Sequence, residues 1–161
     1  MFDGSTQTFE MLKRPDTVQV IPMVGDKILI NRQEQPDDPR KYLSLFGGRV
    51  DEGEEILDAA QRELLEESGY EANEYFLWHA EQPVGKIDWA VFTFVAKGLK
   101  KVADLDLDAG EKIKLKLVAL DELIELSRHE NFSEKEIVAK LLEAKNNPKK
   151  MEELKRLFNP K

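Results

Sequence analysis

Arg62, Glu63, Glu66 and Glu67 crowd one short stretch of the chain, GRVDEGEEILDAAQRELLEESGY, residues 48–70. The stretch reads as a helix entered through Gly47, Gly48 and Gly53 and stopped by Gly69, since glycine just past the last periodic residue ends a helix. At about 100° per residue, Glu63 and Glu67 lie within roughly 40° of each other. Ile56, Ala60 and Leu64 fall within about 100° of Glu63, so two carboxylates share the side that should be buried. Desolvating an unpaired carboxylate costs on the order of several kcal/mol. A divalent cation would remove that cost. Glu66 lies roughly 60° away on the other flank, and an all-oxygen cluster of this kind suits magnesium, manganese or calcium rather than zinc. Arg62 reaches Glu66 at i+4, or Glu54 or Glu55 across the helix start, to orient or neutralise a carboxylate. A run such as ELLEE taken alone would read as a solvated face.

The wider spacing argues against that reading. Gly48, Glu54, Arg62, Glu63, Leu64, Glu66, Glu67, Gly69 and Tyr70 fit the Nudix box, G-x5-E-x7-R-E-U-x-E-E-x-G-U with U a bulky apolar residue. Its fixed positions would match by chance on the order of 10⁻⁸ times per start. The chain therefore resembles a Nudix hydrolase. The resemblance implies an α/β/α sandwich with a mixed β-sheet, and hydrolysis of a P–O–P bridge in a nucleoside diphosphate linked to another moiety. It further implies Mg2+ or Mn2+ held by Glu63 and Glu67, Glu66 as ligand or base, a carbonyl at Gly47 or Gly48 completing the shell, and Arg62 and Glu54 as orienting groups. RPDTVQVIPM, DKILINRQ and GLKKVADLDLDAGEKI resemble segments of ADP-ribose and nucleotide-sugar pyrophosphatases. In those relatives a loop acid outside the box acts as base or extra ligand, which makes Asp108 and Glu111 the candidates here, against the reading of a solvated loop. Arg32, Arg49 and Phe46 flank the box and are expected at the substrate. Phe46 and Glu34 depart from the relatives, which commonly carry proline or alanine and arginine there. A homodimer is implied in the same way. The alternatives are a nucleoside triphosphate pyrophosphohydrolase and a catalytically silent nucleotide-binding domain; the complete set of box acids argues against the second.

With 161 residues and a 41% apolar fraction, a single domain spanning the whole chain is expected, large enough to bury its own core. A net charge of −8 speaks against nonspecific nucleic-acid or membrane-surface binding, while leaving room for an anionic substrate met by metal ions. There is no cysteine, which excludes disulfides, thiol catalysis and thiolate metal sites. No apolar run approaches about 18 residues and no charged-then-apolar leader appears, so a soluble cytoplasmic protein is the default.

The elements that position the box read as follows. Residues 1–15 form an arm or edge strand, with Phe2, Phe9 and Met11 among polar residues. Residues 17–23 and 27–31 make a hairpin about Gly25–Asp26, residues 33–40 a loop, and residues 42–46 a short strand feeding a glycine turn. Strands follow at 75–80 and 88–97, the second apolar on both faces and so central. Residues 112–120 alternate as a strand with one wet face. A helical turn at 121–126 precedes a helix capped by Ser133 and Glu136. Asn146–Asn147–Pro148 breaks that helix before a last amphipathic one. His79 and His129 have no metal spacing and read as structural or surface residues, and Trp78 and Trp89 read as core.

Overall fold

A computed structural model describes residues 2–35, 38–104 and 112–158. In chain order the strands and helices are β1 (Leu12–Lys13), β2 (Thr17–Val24), β3 (Lys27–Gln35), β4 (Asp38–Ser44), β5 (Phe46–Arg49), α1 (Ile56–Ser68), β6 (Tyr70–Glu71), β7 (Glu74–Glu81), β8 (Ile87–Asp88), β9 (Val91–Lys97), β10 (Lys100–Lys101), β11 (Lys112–Val118), α2 (Leu120–Leu126), α3 (Lys135–Asn146) and α4 (Pro148–Leu157).

Among the described residues the main sheet runs β11–β3–β2–β9–β7, with β4 added to β3 and β5 to β2. It is mixed: β2 and β9 are parallel, from Thr17 opposite Val91 to Pro22 opposite Ala96, and the remaining pairs are antiparallel. Strand β2 divides its other edge. Thr17–Val20 pairs with β5, whereas Met23 and Val24 turn back onto β3. Strand β3 thereby peels away with β4 and β11, and β5 takes its place beside the first half of β2.

Two apolar layers follow from this sheet. Val18, Val20, Phe46 and Phe94 face Ala59, Ala60 and Leu64 of α1. On the opposite side Ile21, Met23, Ile28, Ile30 and Val95 face Leu123, Ile137, Leu141 and Leu154 of α2, α3 and α4. Helices on both faces of a mixed sheet make the expected α/β/α sandwich. Strand β9 is central, between β2 and β7. Its run of apolar residues is buried on both faces because both layers press on it.

Three local expectations are corrected. Residues 33–40 are not simply a loop, since β3 continues to Gln35 and β4 begins at Asp38, with Gln35 opposite Asp38 in the register. Pro36 and Pro39 concealed this, because proline suits turns and edge strands alike. Gly47 and Gly48 lie within extended β5 rather than in a turn. No capping box forms at α3: its N-cap is Glu134 without a side-chain cap, and Glu136 instead accepts a hydrogen bond from Gln19 Nε2 at 3.3 Å. The final break does behave as read. Asn147 accepts from the Lys149 and Lys150 amides ahead of Pro148, capping α4. Asn147→Ala should cost about 1 kcal/mol of stability, read as a lowered urea midpoint with an unchanged slope; an unmoved midpoint would show the cap to be idle.

Candidate active site

Helix α1 is fixed at its end by Gly69, whose φ of 72° lets its amide reach the Leu65 carbonyl at 2.7 Å. A side chain there would also strike the Ala103 carbonyl, at 2.2 Å from the added Cβ. With the apolar stripe of α1 docked on β2 and β5, Glu63 and Glu67 are pressed toward β5. The two glycines of β5 make that approach feasible. A Cβ on Gly48 would sit 2.3 Å from Glu63 Oε1, and one on Gly47 would sit 2.1 Å from the Val18 carbonyl oxygen. The Gly47 amide donates to Glu67 Oε2 at 2.9 Å.

Arg62 is the hub. Its Nε donates to Glu54 Oε1 at 2.9 Å and one terminal nitrogen to Glu54 Oε2 at 3.0 Å, a bidentate pair. Its other terminal nitrogen reaches Glu63 Oε1 at 2.8 Å and Glu66 Oε2 at 3.2 Å. The terminal nitrogen that holds Glu54 Oε2 also donates to the Arg49 carbonyl at 3.1 Å. Glu54 accepts the Asp51 amide at 3.0 Å in addition, so the loop between β5 and α1 closes on the same hub. Glu55, the alternative partner for Arg62, is not used.

The electrostatics differ from one acid to the next. The Arg62 hydrogen bond, with the Asp51 amide behind it, holds Glu54 below the usual carboxylate range. Glu63 is shifted the other way: burial raises it and outweighs the opposing Arg62 contact. Its side chain is 13% exposed against 43% for Glu66. Glu54 and Glu63 both raise the already high pKa of Arg62, so its guanidinium stays charged while it neutralises the cluster. The whole arrangement places a largely buried, costly carboxylate next to the two glycines of β5.

Among the described residues, no three His, Cys, Asp or Glu side chains stand grouped tightly enough to hold a metal as they are. The hydrogen bonds above explain why: Arg62 draws on Glu54, Glu63 and Glu66, and Glu67 is turned to the Gly47 amide. The donors nonetheless fit a hard divalent ion. They are carboxylate and carbonyl oxygens, they come from a rigid helix and strand, and Glu63 carries a desolvation cost that a cation would offset. Glu63, Glu66, Glu67 and the Gly48 backbone are the groups able to hold it.

Other residues expected at the site fall out differently. Phe46 is wholly buried beneath α1, so its side chain cannot meet a substrate; it anchors β5 in the core instead. Arg49 is exposed, 3.3 Å from Asp51, at the mouth of the site. Arg32 is exposed on β3 between Leu43 of β4 and Lys114 of β11, with no hydrogen bond to the hub among the described residues. Asp108 and Glu111 lie outside the described residues. Trp78 packs edge-on to Phe158 at 6.1 Å, as a core residue would. His79 pairs with Glu81 at 2.9 Å, away from the hub.

Two residues escaped the sequence reading. Asp16 accepts the Val50 amide on its carbonyl at 2.8 Å and the Ala90 amide on its carboxylate at 2.8 Å, tying the box loop to the start of β9. Glu134 is buried at the head of α3, with one carboxylate oxygen that has no hydrogen-bond partner among the described residues. Neither sits in a motif, because their partners are distant in sequence.

Comparison with known proteins agrees with this geometry. Residues 13–141 match the NUDIX domain family. The chain is 30% identical over 142 residues to the methanol dehydrogenase activator of Bacillus methanolicus, covering 85% of this chain and 76% of that protein. It is 28% identical over 127 residues to the ADP-ribose pyrophosphatase of Bacillus subtilis (strain 168), covering 77% and 69%. In fold it is similar to the crystal structure of an ADP compounds hydrolase, with a TM-score of 0.69 at 24% identity over 84% of this chain and 73% of that one. It is likewise similar to a NUDIX hydrolase from Nitrosomonas europaea, with a TM-score of 0.60 at 24% identity over 80% and 86%. A family match that takes in α1, the β5 strand facing it and the main sheet has one meaning: the chain belongs to the Nudix family and is a Nudix hydrolase.

Proposed function

We propose that this enzyme uses magnesium or manganese to hydrolyse the diphosphate of a nucleoside diphosphate linked to a second moiety. ADP-ribose or a nucleotide sugar is the substrate, and a nucleoside monophosphate and a sugar phosphate are the products. The observation that carries this reading is the convergence of Glu63 and Glu67 on the side-chain-free strand Gly47–Gly48. Similarity to the Bacillus subtilis ADP-ribose pyrophosphatase supports the substrate class.

A divalent ion bound there supplies charge for the phosphate oxygens and acidifies a water. Glu63 and Glu67 hold it, with the Gly48 carbonyl beside them and Glu66 at the exposed rim as further ligand or base. Arg62 positions these carboxylates, and Glu54 positions Arg62. Arg49 stands where it meets a phosphate at the mouth, and Arg32 is assigned to the distal part of the substrate. Glu111 is the candidate general base outside the helix. The enzyme works as a single domain in the cytoplasm and as a homodimer. The N-terminal arm supports the dimer: Phe9, Met11 and Leu12 are exposed on it, and among the described residues it is held at its end, where β1 pairs with β8 and Arg14 lies over Trp89.

A product assay tests the reading. With magnesium, ADP-ribose should yield AMP and ribose 5-phosphate in equal amounts, and EDTA should abolish the reaction. Pyrophosphate released from a nucleoside triphosphate would replace this reading with the triphosphate one, and tight nucleotide binding without product would make the chain a silent binding domain.

A further inference from the structure

A groove of about 570 Å³ opens on the outer side of the box loop, bounded by residues 13–16, residues 50–52 and Asp88. Its size lies within the range of small-ligand sites, roughly 300–1,000 Å³. Asp16 builds the floor, accepting the Val50 and Ala90 amides. The Arg14 amide donates to the Asp88 carbonyl at 3.2 Å, which fixes one rim. Above that rim the Arg14 guanidinium lies 4.2 Å from the centre of the Trp89 ring. The indole is itself pinned, donating from Nε1 to Thr17 Oγ1 at 3.0 Å. The groove also joins the catalytic hub directly: Asp51 lines it, and the Asp51 amide is the one bound by Glu54.

The chemistry of this lining is selective. Asp16, Asp51, Glu52 and Asp88 outnumber Lys13 and Arg14, so a phosphate is repelled while hydroxyl and amino donors are welcomed. A flat cation stacked on a held indole offers a π-face that a planar heterocycle can share. We propose that this groove binds the nucleoside of the substrate, its base against the Arg14–Trp89 pair and its ribose hydroxyls on Asp88 and Glu52. The diphosphate then points past Asp51 toward Glu63 and Glu67. This assignment rests on the reading of the site as a nucleoside diphosphate hydrolase, and Arg14, Trp89 and Asp88 become its specificity residues.

The test separates the two. AMP is titrated into the 161-residue chain without metal, followed by tryptophan fluorescence and calorimetry, and the titration is repeated with ribose 5-phosphate. Arg14→Ala and Asp88→Asn, both changes at exposed side chains, are measured beside the parent chain. Binding of AMP, with about tenfold weakening in each variant, and a matching rise in KM for ADP-ribose at unchanged kcat is the expected result. AMP binding untouched by either substitution, no AMP binding to the parent chain, or ribose 5-phosphate taking the site in place of AMP would each overturn the assignment. If the parent chain splits ADP-ribose while the variants behave as it does, the groove assignment fails and the catalytic reading survives. If AMP binds as expected but no diphosphate is split, the reverse holds.

Discussion

Glu67→Gln should lower turnover about a thousandfold while the protein melts within about 1 kcal/mol of the parent. The substitution keeps the side chain's length and one acceptor oxygen, so the 2.9 Å contact from the Gly47 amide is preserved. What disappears is one negative charge beneath β5, in a place where the helix offers no substitute. Glu55, one position before α1 and exposed to solvent, is the control: Glu55→Gln should leave the rate near the parent value. Binding of manganese, followed by its electron paramagnetic resonance signal, should weaken in the first variant only. A Glu67→Gln enzyme with full turnover would sink the idea that these carboxylates carry the ion.

The second large effect concerns stability. Burial at the head of α3 pushes the Glu134 carboxyl up to about 8, against the pull of the Leu45 amide, while its ordinary value is 4.5. Below 4.5 the folded and unfolded chains both hold the proton, and the group adds no pH dependence. Between 4.5 and about 8 only the folded chain retains it, so stability falls as pH rises; above about 8 the full cost is in place. By pH 7 this amounts to something on the order of 3 kcal/mol. Glu134→Gln removes the titration and keeps an oxygen for Leu45. Part of the gain is offset by an amide group with no ready partner, a cost of roughly 1–3 kcal/mol. Denaturant curves at pH 5 and pH 8 should therefore converge for the variant and diverge for the parent. Parallel pH dependence in the two chains would mean that Glu134 ionises without penalty.

How much of this was legible beforehand depends on the range of the interaction. The glutamate helix was readable because its chemistry is local: Arg62, Glu63, Glu66 and Glu67 meet through helical spacing, and Gly69 stops the helix by its own backbone freedom. The clean alternation in β11 and the apolar run in β9 likewise state their environments directly. Gly47 and Gly48 were rightly singled out, but for the wrong shape. They look like a turn in sequence, and only the closeness of Val18 on one side and Glu63 on the other explains why a strand needs them. Phe46 misled because being next to a motif is not the same as facing it; alternation along β5 sends its ring into the core. Ser133 and Glu136 had capping-box spacing, yet Gln19, more than a hundred residues upstream, claims the carboxylate. Asp16 and Glu134 gave no signal at all. Their roles exist only once segments far apart in sequence have met, which pattern and propensity cannot report.

The divided edge of β2 bears on how the molecule comes to be. The floor under the glutamate helix is completed by β9, whose first residue is paired with Thr17 from the far side of the entire box. A chain emerging from the ribosome thus makes the helix early but has nowhere to seat it until β9 is out. Non-local, parallel pairing of this kind is slow and leaves apolar surface open meanwhile. The glutamates, gathered early on α1, meet the glycines of a seated β5 only in the last act of assembly, so a nascent or truncated chain ending before β9 is expected to be inert and prone to aggregate rather than partly active.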